Sequence, residues 1–181
     1  MTDSIIIVPY DPNWLNQFLD YGKSIRNILG DIAIRIDHVG STSIVNMCAK
    51  PIIDVQVSVR DFSKINWIEQ QMNTIGFRYM KNNEDKSQCY FREVPGDRRT
   101  HIHIRRVGSW DEVFNLLFRD YLRCHPEDCR LYERKKYELS EVYKNERWKY
   151  TEGKSEVIWE IMQRAHSWSQ QVGWYPGESD V

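Results

Sequence analysis

Several features that would place a chain in a broad functional class are missing from these 181 residues. No apolar run approaches the length of a membrane span, and the polar start Met1-Thr2-Asp3-Ser4 does not resemble a signal peptide. The 25 basic and 26 acidic residues nearly cancel, so no net charge favours nucleic acid or an anionic membrane as a partner. We therefore expect a cytoplasmic protein without a membrane partner, and we do not expect a nucleic-acid partner.

Cysteine is scarce, and its four positions lack the spacing of a metal site or of a disulfide framework. We expect free structural thiols in a reducing compartment. Aromatic residues are abundant instead, with seven Trp and ten Tyr, and packing is a simpler use for them than stacking on a ligand. A chain of this length can bury one core without cross-links. We predict a single domain over residues 1–170 and a flexible tail over residues 171–181.

Periodicity and turn residues divide the domain into a sheet core, about residues 30–108, and a helical half, about residues 109–170. The first helix is predicted to begin at Asp11-Pro12, where a capping carboxylate precedes a proline, and to end at Gly30. Strand character is found at 32–39, 52–59, 77–80, 88–94 and 100–107. Further helices are predicted to begin at Ser63, Ser109, Pro126 and Thr151. The expected fold class is α+β, a mixed sheet of about five strands with flanking helices.

A turn of small residues after the first predicted strand carries the first candidate site. Gly40 allows the backbone to turn sharply and to approach a ligand closely. Ser41 and Thr42 offer hydroxyls and backbone N–H groups to an anion, and the Lys50 ammonium nearby suits phosphate. A Gly-Ser-Thr triplet alone is also typical of an ordinary turn, and Lys50 of a solvated surface. Together these four residues predict a phosphate-binding turn.

Asp54 lies in the second predicted strand, inside a stretch otherwise suited to burial. Strand alternation places Asp54 and Gln56 on one face and their apolar neighbours on the other. An unpaired buried carboxylate is costly. A salt bridge to an arginine is one solution, and Mg²⁺, which prefers carboxylate oxygens and keeps several waters, is another. We predict that Asp54 is a metal ligand and a catalytic residue.

Two histidines share one face of a later predicted strand. His101 and His103 are two residues apart, and such a pair can ligate a metal, act as acid or base, or simply lie on a polar sheet face. If their strand lies beside Asp54, the three side chains converge. We then expect both histidines to be metal ligands and His103 to be catalytic as a general base. Arg92, on the neighbouring strand, is expected to bind phosphate.

The helical half contributes further cations. Arg119 and Arg123 lie one turn apart on the predicted helix after Ser109. A solvated stripe is the usual meaning of this spacing, but apolar neighbours could hold Arg119 at the edge of the core and aim it at the cleft. We predict that Arg119 stabilises charge during catalysis and that Arg123 binds phosphate. Lys154 is a further candidate phosphate ligand, although a plain surface position explains it equally well.

Five segments, in this order along the chain, resemble the GrpB family. They are HVGSTS (38–43), KPIIDVQV (50–57), HIHI (101–104), FRDYLR (118–123) and YTEGK (150–154). The resemblance extends from about residue 9 to about residue 165. It implies a nucleotidyltransferase-like fold of the polymerase-beta type. Domains of this family also occur fused to dephospho-CoA kinase in some bacteria.

The resemblance also implies roles for individual residues. In active nucleotidyltransferases a Gly-Ser turn holds the triphosphate, two acids on the next strand bind metals, and a third acid comes from a later strand. Gly40, Ser41 and Asp54 match the first parts of this pattern. Gln56 stands in place of the second acid, and the histidine strand takes the position of the third. A neutral amide cannot offset the charge of two Mg²⁺ ions, so one metal or none is expected.

Three functions are compatible with the sequence. The first is a magnesium-dependent transferase that binds a nucleoside triphosphate and passes its nucleotidyl group to an acceptor. The second is a non-catalytic module that captures a nucleotide or another phosphorylated metabolite, for example as an accessory to a kinase such as dephospho-CoA kinase. Gln56 favours this second function. The third is a degenerate scaffold whose helical half binds another protein.

Overall fold

The computed structural model describes residues 4–181, and its centre is a five-stranded sheet. The strands are β1 Arg35–Val39, β2 Ile53–Val59, β3 Phe77–Tyr79, β4 Gln88–Glu93 and β5 Thr100–Arg106. Their order across the sheet is β1-β2-β5-β4-β3. β2 and β5 are parallel, whereas the other neighbouring pairs are antiparallel. The mixed sheet of five strands predicted from the sequence is therefore confirmed.

Six α-helices flank this sheet in the described part of the chain. They are α1 Asn13–Leu29, α2 Ile65–Thr74, α3 Trp110–Cys124, α4 Pro126–Val142, α5 Arg147–Gly153 and α6 Ser155–Val172. None of the six is both long and apolar enough to cross a membrane. The α+β fold class with flanking helices is confirmed.

The two faces of the sheet differ because side chains alternate along each strand. On one face, Val55, Val57, Ile102 and Ile104 are fully buried in a core that includes residues of α1 and α2. The opposite face carries the polar residues of β2 and β5. A second apolar cluster lies among α3, α4 and α6, so the helical half packs around its own core. The polar face of β2 and β5 therefore lies between the two apolar clusters.

Local signals explain most of the helix starts. The Asp11 carboxylate accepts a hydrogen bond from the Asn13 N–H at 2.9 Å, and Pro12 has helical backbone angles, as the capping prediction requires. Ser109 caps α3 by accepting from the Glu112 N–H. The prediction that Thr151 begins the last helix is wrong. Thr151 lies inside the short helix α5, and α6 begins four residues later at Ser155.

The last residues of the chain lie along the outer edge of β1. The Ser179 hydroxyl accepts from the Ile36 N–H at 2.8 Å, and the Asp180 carboxylate accepts from the His38 N–H at 2.8 Å. The Val181 N–H donates to the Ile36 carbonyl. These contacts occupy donors and acceptors that an edge strand otherwise leaves exposed. The composition of the predicted tail, residues 171–181, carries no signal for this contact.

Candidate functional site

A cleft of about 450 Å³ opens between the polar face of the sheet and the helices α4 and α5. Its sheet side consists of the turn at residues 40–42 together with Asp54, His101 and His103. The helical side carries mainly lysine, arginine and tyrosine. Ligand sites in proteins typically have volumes of about 300–1,000 Å³. The cleft is thus large enough for a small phosphorylated molecule.

Asp54 and the two histidines converge in this cleft, as the sequence requires of a site. β2 and β5 are parallel, with Asp54 opposite His101 and Gln56 opposite His103. The Asp54 Oδ1 lies 3.0 Å from His101 Nδ1 and 3.5 Å from His103 Nε2. Burial alone would raise the pKa of Asp54, but the hydrogen bond from His101 holds it well below its usual value. Asp54 is therefore an ionised carboxylate paired with imidazoles, not with an arginine.

The glycine turn lies directly against this carboxylate. Gly40 has a φ of +70°, and a Cβ at this position would come within 2.5 Å of Asp54 Oδ2. Positive φ values of this size are costly for residues with side chains. Both the backbone conformation and the space next to Asp54 therefore require glycine at position 40.

The hydroxyls of the turn differ in their availability. Ser41 Oγ accepts a hydrogen bond from Lys136 Nζ at 3.3 Å inside the cleft. Thr42 Oγ1 lies 3.1 Å from His38 Nε2 and donates to the Ile52 carbonyl at 3.3 Å. The hydroxyl of Ser41 can therefore contact a ligand, whereas that of Thr42 already holds the turn to the neighbouring chain segments.

Five cations line the cleft. Arg105 is paired with Asp85 and Asp111, whereas the other four make no ion pair within residues 4–181. This cation cluster consists of Lys50, Lys136, Arg147 and Lys154. Burial together with repulsion from Lys154 and Arg147 lowers the pKa of Lys50 to about 7. Burial lowers the pKa of Lys136 to about 8, although Glu133 opposes the shift. The cluster therefore concentrates positive charge that the described protein does not neutralise.

Tyrosine rings support the ammonium groups of this cluster. Lys50 Nζ and Lys154 Nζ each lie 4.9 Å from the ring centre of Tyr150, and Lys136 Nζ lies 4.8 Å from that of Tyr132. Cation–π contacts of this kind partly replace lost hydration. Tyr150 is almost completely buried, so its ring orients the lysines and does not stack on a ligand.

Lys136 and Arg147 were not predicted as site residues, yet the sequence contains a signal for both. Lys136 is one helical turn after Tyr132 on the inner face of α4 and is only 2% exposed. Such burial is unusual for a lysine without an ion pair. Arg147, Tyr150, Thr151 and Lys154 follow the i, i+3, i+4, i+7 spacing of a single helix face. All four line the cleft. Reading the segment as one short helix would have identified them.

Gln56 stands on the same strand face as Asp54 but does not reach the cleft. Its side chain is completely buried, its Nε2 donates to the Glu112 carbonyl at 3.3 Å, and its Oε1 accepts from Asn115 Nδ2 at 2.8 Å. Gln56 thus fastens α3 to the sheet. Gln56 therefore serves packing in this structure and gives the cleft no ligand atom.

Three predicted arginines lie outside the residues that line the cleft. Arg119 is 4% exposed and donates to the His38 carbonyl, Asp120 and Asp180. Arg123 donates twice to the Ser43 carbonyl and lines a separate cavity behind the turn. Arg92 is opposite His101 on β4 but is paired with Glu93. In this structure Arg119 and Arg123 support β1 and the turn, so their effect on the cleft is indirect.

Comparison with known proteins identifies the family. The family model described as GrpB protein matches residues 4–164. The protein PA4798 of Pseudomonas aeruginosa is 35% identical over 167 residues, which are 90% of this chain and 68% of that protein. A dephospho-CoA kinase of Mycobacterium bovis is 26% identical over 196 residues, and the match covers 94% of this chain and 48% of the kinase. The chain therefore spans about half the length of that relative.

One solved structure supports the same assignment. The crystal structure of the conserved protein GrpB from Enterococcus faecalis has a TM-score of 0.81 and 32% identity, covering 88% of this chain and 96% of that one. Terminal uridylyl transferase 4 from Trypanosoma brucei, solved with bound CTP, has a TM-score of 0.49 and 13% identity over 83% of this chain and 51% of that one. The second likeness is too weak to carry an argument.

Proposed function

The chain belongs to the GrpB family, and we propose that its cleft binds the phosphate groups of a nucleoside triphosphate or of a related phosphorylated small molecule. The cation cluster is the observation that carries this proposal. Its four positive side chains line one cavity whose carboxylate, Asp54, is hydrogen-bonded to His101 and lies 3.5 Å from His103. A polyanion is the ligand class that this charge distribution favours.

Buried positive charge without an opposite partner favours a bound anion. Removing an ammonium group from water is costly unless an opposite charge or hydrogen bonds replace the water. Lys50 carries this cost, because burial lowers its pKa. Lys136 carries part of it: burial lowers its pKa, although its ammonium group donates to Ser41 Oγ and to the Cys48 carbonyl. A phosphate group among these residues would restore both positive charges and form charge-assisted hydrogen bonds. The desolvation of these lysines lowers the stability of the free protein, and a bound phosphate would offset that loss.

The arrangement of the cleft favours a chain of phosphates over a single one. Lys136 approaches the turn through Ser41, whereas Arg147 approaches the histidine strand, with its Nη2 3.4 Å from His101 Nε2. Cations therefore stand near both ends of the sheet side of the cleft. Asp54 lies between them, where a divalent cation carried by a polyphosphate would meet a carboxylate.

Nucleotidyl transfer is the second candidate function, and the neighbourhood of Asp54 and His103 favours it. An imidazole beside a carboxylate can accept a proton from an attacking hydroxyl. The buried amide of Gln56 argues against a two-magnesium reaction, so capture without transfer remains the function that the cleft supports best. A kinase partner is part of this proposal, because the match to dephospho-CoA kinase covers only half of that protein. We place the protein in the cytoplasm, in keeping with its four free thiols.

Calorimetry and thermal melting with ATP, UTP and inorganic tripolyphosphate test the proposal. Lys136→Met should lower the affinity for each ligand at least about tenfold, since one charge-assisted contact is worth about 1.5–3 kcal/mol. Lys23→Met, an exposed lysine on α1, is the matched control and should bind like the parent. Equal binding by both variants would refute the proposal. Pyrophosphate release that Asp54→Ala abolishes would establish transfer, whereas binding without release would establish capture.

A further inference from the structure

Asp54, His101 and His103 form the one metal-ligand cluster found among the described residues. Their ligand atoms all lie within 4.8 Å of one another. Two of these separations, 3.0 Å from His101 and 3.5 Å from His103 to the same Oδ1, match the spacing of neighbouring ligands at bond lengths of about 2.0–2.2 Å. The set consists of two imidazoles and one carboxylate, which differs from the acid set that holds Mg²⁺ in nucleotidyltransferases.

The hydrogen bonds around His103 determine which of its nitrogens faces Asp54 as an acceptor. Gln88 Nε2 donates to Asp85 Oδ2 at 2.7 Å, so the amide oxygen of Gln88 must be the atom turned toward His103. That oxygen lies 2.6 Å from His103 Nδ1 and can only accept. Nδ1 therefore carries a proton. In the neutral ring Nε2 then presents a lone pair to the carboxylate oxygen 3.5 Å away.

Two lone pairs that face each other are brought together by a cation between them. A histidine that binds a metal commonly donates its other N–H to a carbonyl or carboxylate, which fixes the ring and its tautomer. Gln88 makes this contact with His103. Tyr90 adds a stacked ring at 5.3 Å from His103 and an edge contact at 5.5 Å from His101. The imidazoles are thus held in place by β4 before any ligand arrives.

Ligand chemistry then decides which ion is preferred. Imidazole nitrogen suits Zn²⁺, Fe²⁺, Ni²⁺ and Cu²⁺, whereas Mg²⁺ prefers carboxylate, carbonyl and water oxygen. Asp54 is the only carboxylate among the residues that line the cleft, and Gln56 is withdrawn toward α3. Three protein ligands with an open position are typical of catalytic zinc sites. Mg²⁺ would find one oxygen ligand here.

We propose that the free protein binds one divalent transition-metal ion, with Zn²⁺ as the type case, through Asp54, His103 and His101, in preference to Mg²⁺. The inference concerns the same cleft as the proposed function but does not require a nucleotide. A metal held by these residues would share the cleft with the cation cluster. The site would thus recognise a phosphorylated ligand from two sides, by the metal and by the lysines.

His101 and His103 should contribute unequally. Arg147 Nη2 lies 3.4 Å from His101 Nε2, and a guanidinium can only donate. His101 Nε2 therefore accepts in the free protein, and its Nδ1 carries the proton that bonds to Asp54. To bind the metal through Nδ1, His101 must lose the proton on that nitrogen and carry one on Nε2 instead. The Nε2–H then faces Arg147, which can only donate. Loss of His103 should consequently weaken metal binding more than loss of His101.

Titration of the reduced free protein with Zn²⁺ and Mg²⁺ by calorimetry, and with Co²⁺ by visible absorption, tests this inference. One equivalent of Zn²⁺ should bind at least about tenfold more tightly than Mg²⁺. His103→Ala should abolish the Co²⁺ spectrum, and Gln88→Leu should lower the Zn²⁺ affinity about 10–100-fold. His166→Ala, an exposed histidine on α6, is the matched control and should behave like the parent.

Two results would overturn the inference: equal affinity for Mg²⁺ and Zn²⁺, or Zn²⁺ binding that persists in both His103→Ala and Asp54→Asn. The Gln88→Leu variant keeps the test decisive if His103→Ala does not fold, since Gln88 is not itself a ligand. ATP binding measured in the presence of a chelator reports on the cation cluster alone. Failure of the metal site can therefore be told apart from failure of the proposed function.

Discussion

Asp54 fills the space next to Gly40 in which a side chain would lie: a Cβ at position 40 would be 2.5 Å from Asp54 Oδ2. The glycine turn and the carboxylate on β2 are thus in direct contact, although fourteen positions separate them in the sequence. Because the turn and Asp54 are so close, a ligand bound to the turn would lie next to a cation bound to Asp54. This contact links the two halves of the proposed site.

Gly40→Ala should therefore remove ligand binding as well as stability. The added methyl group forces the Asp54 carboxylate away from the histidines, and the positive φ adds strain of about 1–3 kcal/mol. Gly108→Ala is a matched control, because Gly108 has a φ of +73° but nothing within 4 Å of its Cβ position. Thermal melting and Zn²⁺ or ATP calorimetry are the measurements. Both variants should lose stability, and only Gly40→Ala should lose binding; equal binding by the two would contradict the prediction.

Lys50→Met should stabilise the free protein near neutral pH. The pKa of Lys50 falls from 10.5 to about 7 on folding, so between these values the unfolded chain binds more protons at this position. The stability of the parent therefore rises with pH across that window, and the full cost of the buried charge is present below about pH 7. Removing the amine should raise the free energy of unfolding at pH 6–7 by on the order of 2 kcal/mol. This is less than the roughly 5 kcal/mol that the whole shift corresponds to, because the Lys50 side chain is not fully buried.

Urea denaturation of parent, Lys50→Met and Lys23→Met at pH 6, 7, 8 and 9 measures this effect. The slope of stability against pH should be smaller in Lys50→Met than in the other two proteins. The same variant should bind ATP more weakly than the parent. If Lys50→Met is less stable than the parent and its stability has the same dependence on pH, the role of Lys50 is structural and the prediction is wrong.

Binding of ATP at pH 8 should take up protons. At this pH Lys50, with a pKa of about 7, is mostly neutral, and Lys136, with a pKa of about 8, is half protonated. A bound phosphate raises the pKa of both lysines, and each approaches full charge. Calorimetry in buffers of different ionisation enthalpy should give an uptake of about one proton per ligand. Lys50→Met should reduce the uptake; proton release by the parent would contradict the prediction.

Asp180→Ala should destabilise the protein without changing phosphate affinity. The Asp180 carboxylate accepts from the His38 N–H and from Arg119 Nη1, 2.8 and 3.0 Å away. Its loss leaves a strand N–H and part of a buried guanidinium without an acceptor, at a cost of about 1–3 kcal/mol. Glu178→Ala is the control, because only the main-chain oxygen of Glu178 makes a recorded bond, to Arg35. A fall in ATP affinity as large as that of Lys136→Met would place the tail in the binding site.

The strands and most helix starts could be predicted because their signals are local. Apolar alternation sets the faces of β2 and β5, and Asp11 with Pro12 and Ser109 with Glu112 begin helices by bonds within a few residues. The prediction that the last helix begins at Thr151 is wrong because the residue type of Thr151 suits a cap, whereas α6 begins at Ser155 without a side-chain cap. The convergence of Asp54 with the histidines was predicted only on the condition that their strands are neighbours.

The amino-acid sequence by itself determined the α+β class, the family, and the face on which Asp54, His101 and His103 stand, since these depend on residue order and on the two-residue period of a strand. Tertiary structure decided which cations share the cleft. Lys136 and Arg147 enter it because α4 and α5 fold back over the sheet, while Arg119 and Arg123 are drawn to β1 and the turn by Asp37, Asp120, Asp180 and the Ser43 carbonyl. The partner that a charged side chain finds depends on distances between elements remote in sequence, and no local pattern encodes them.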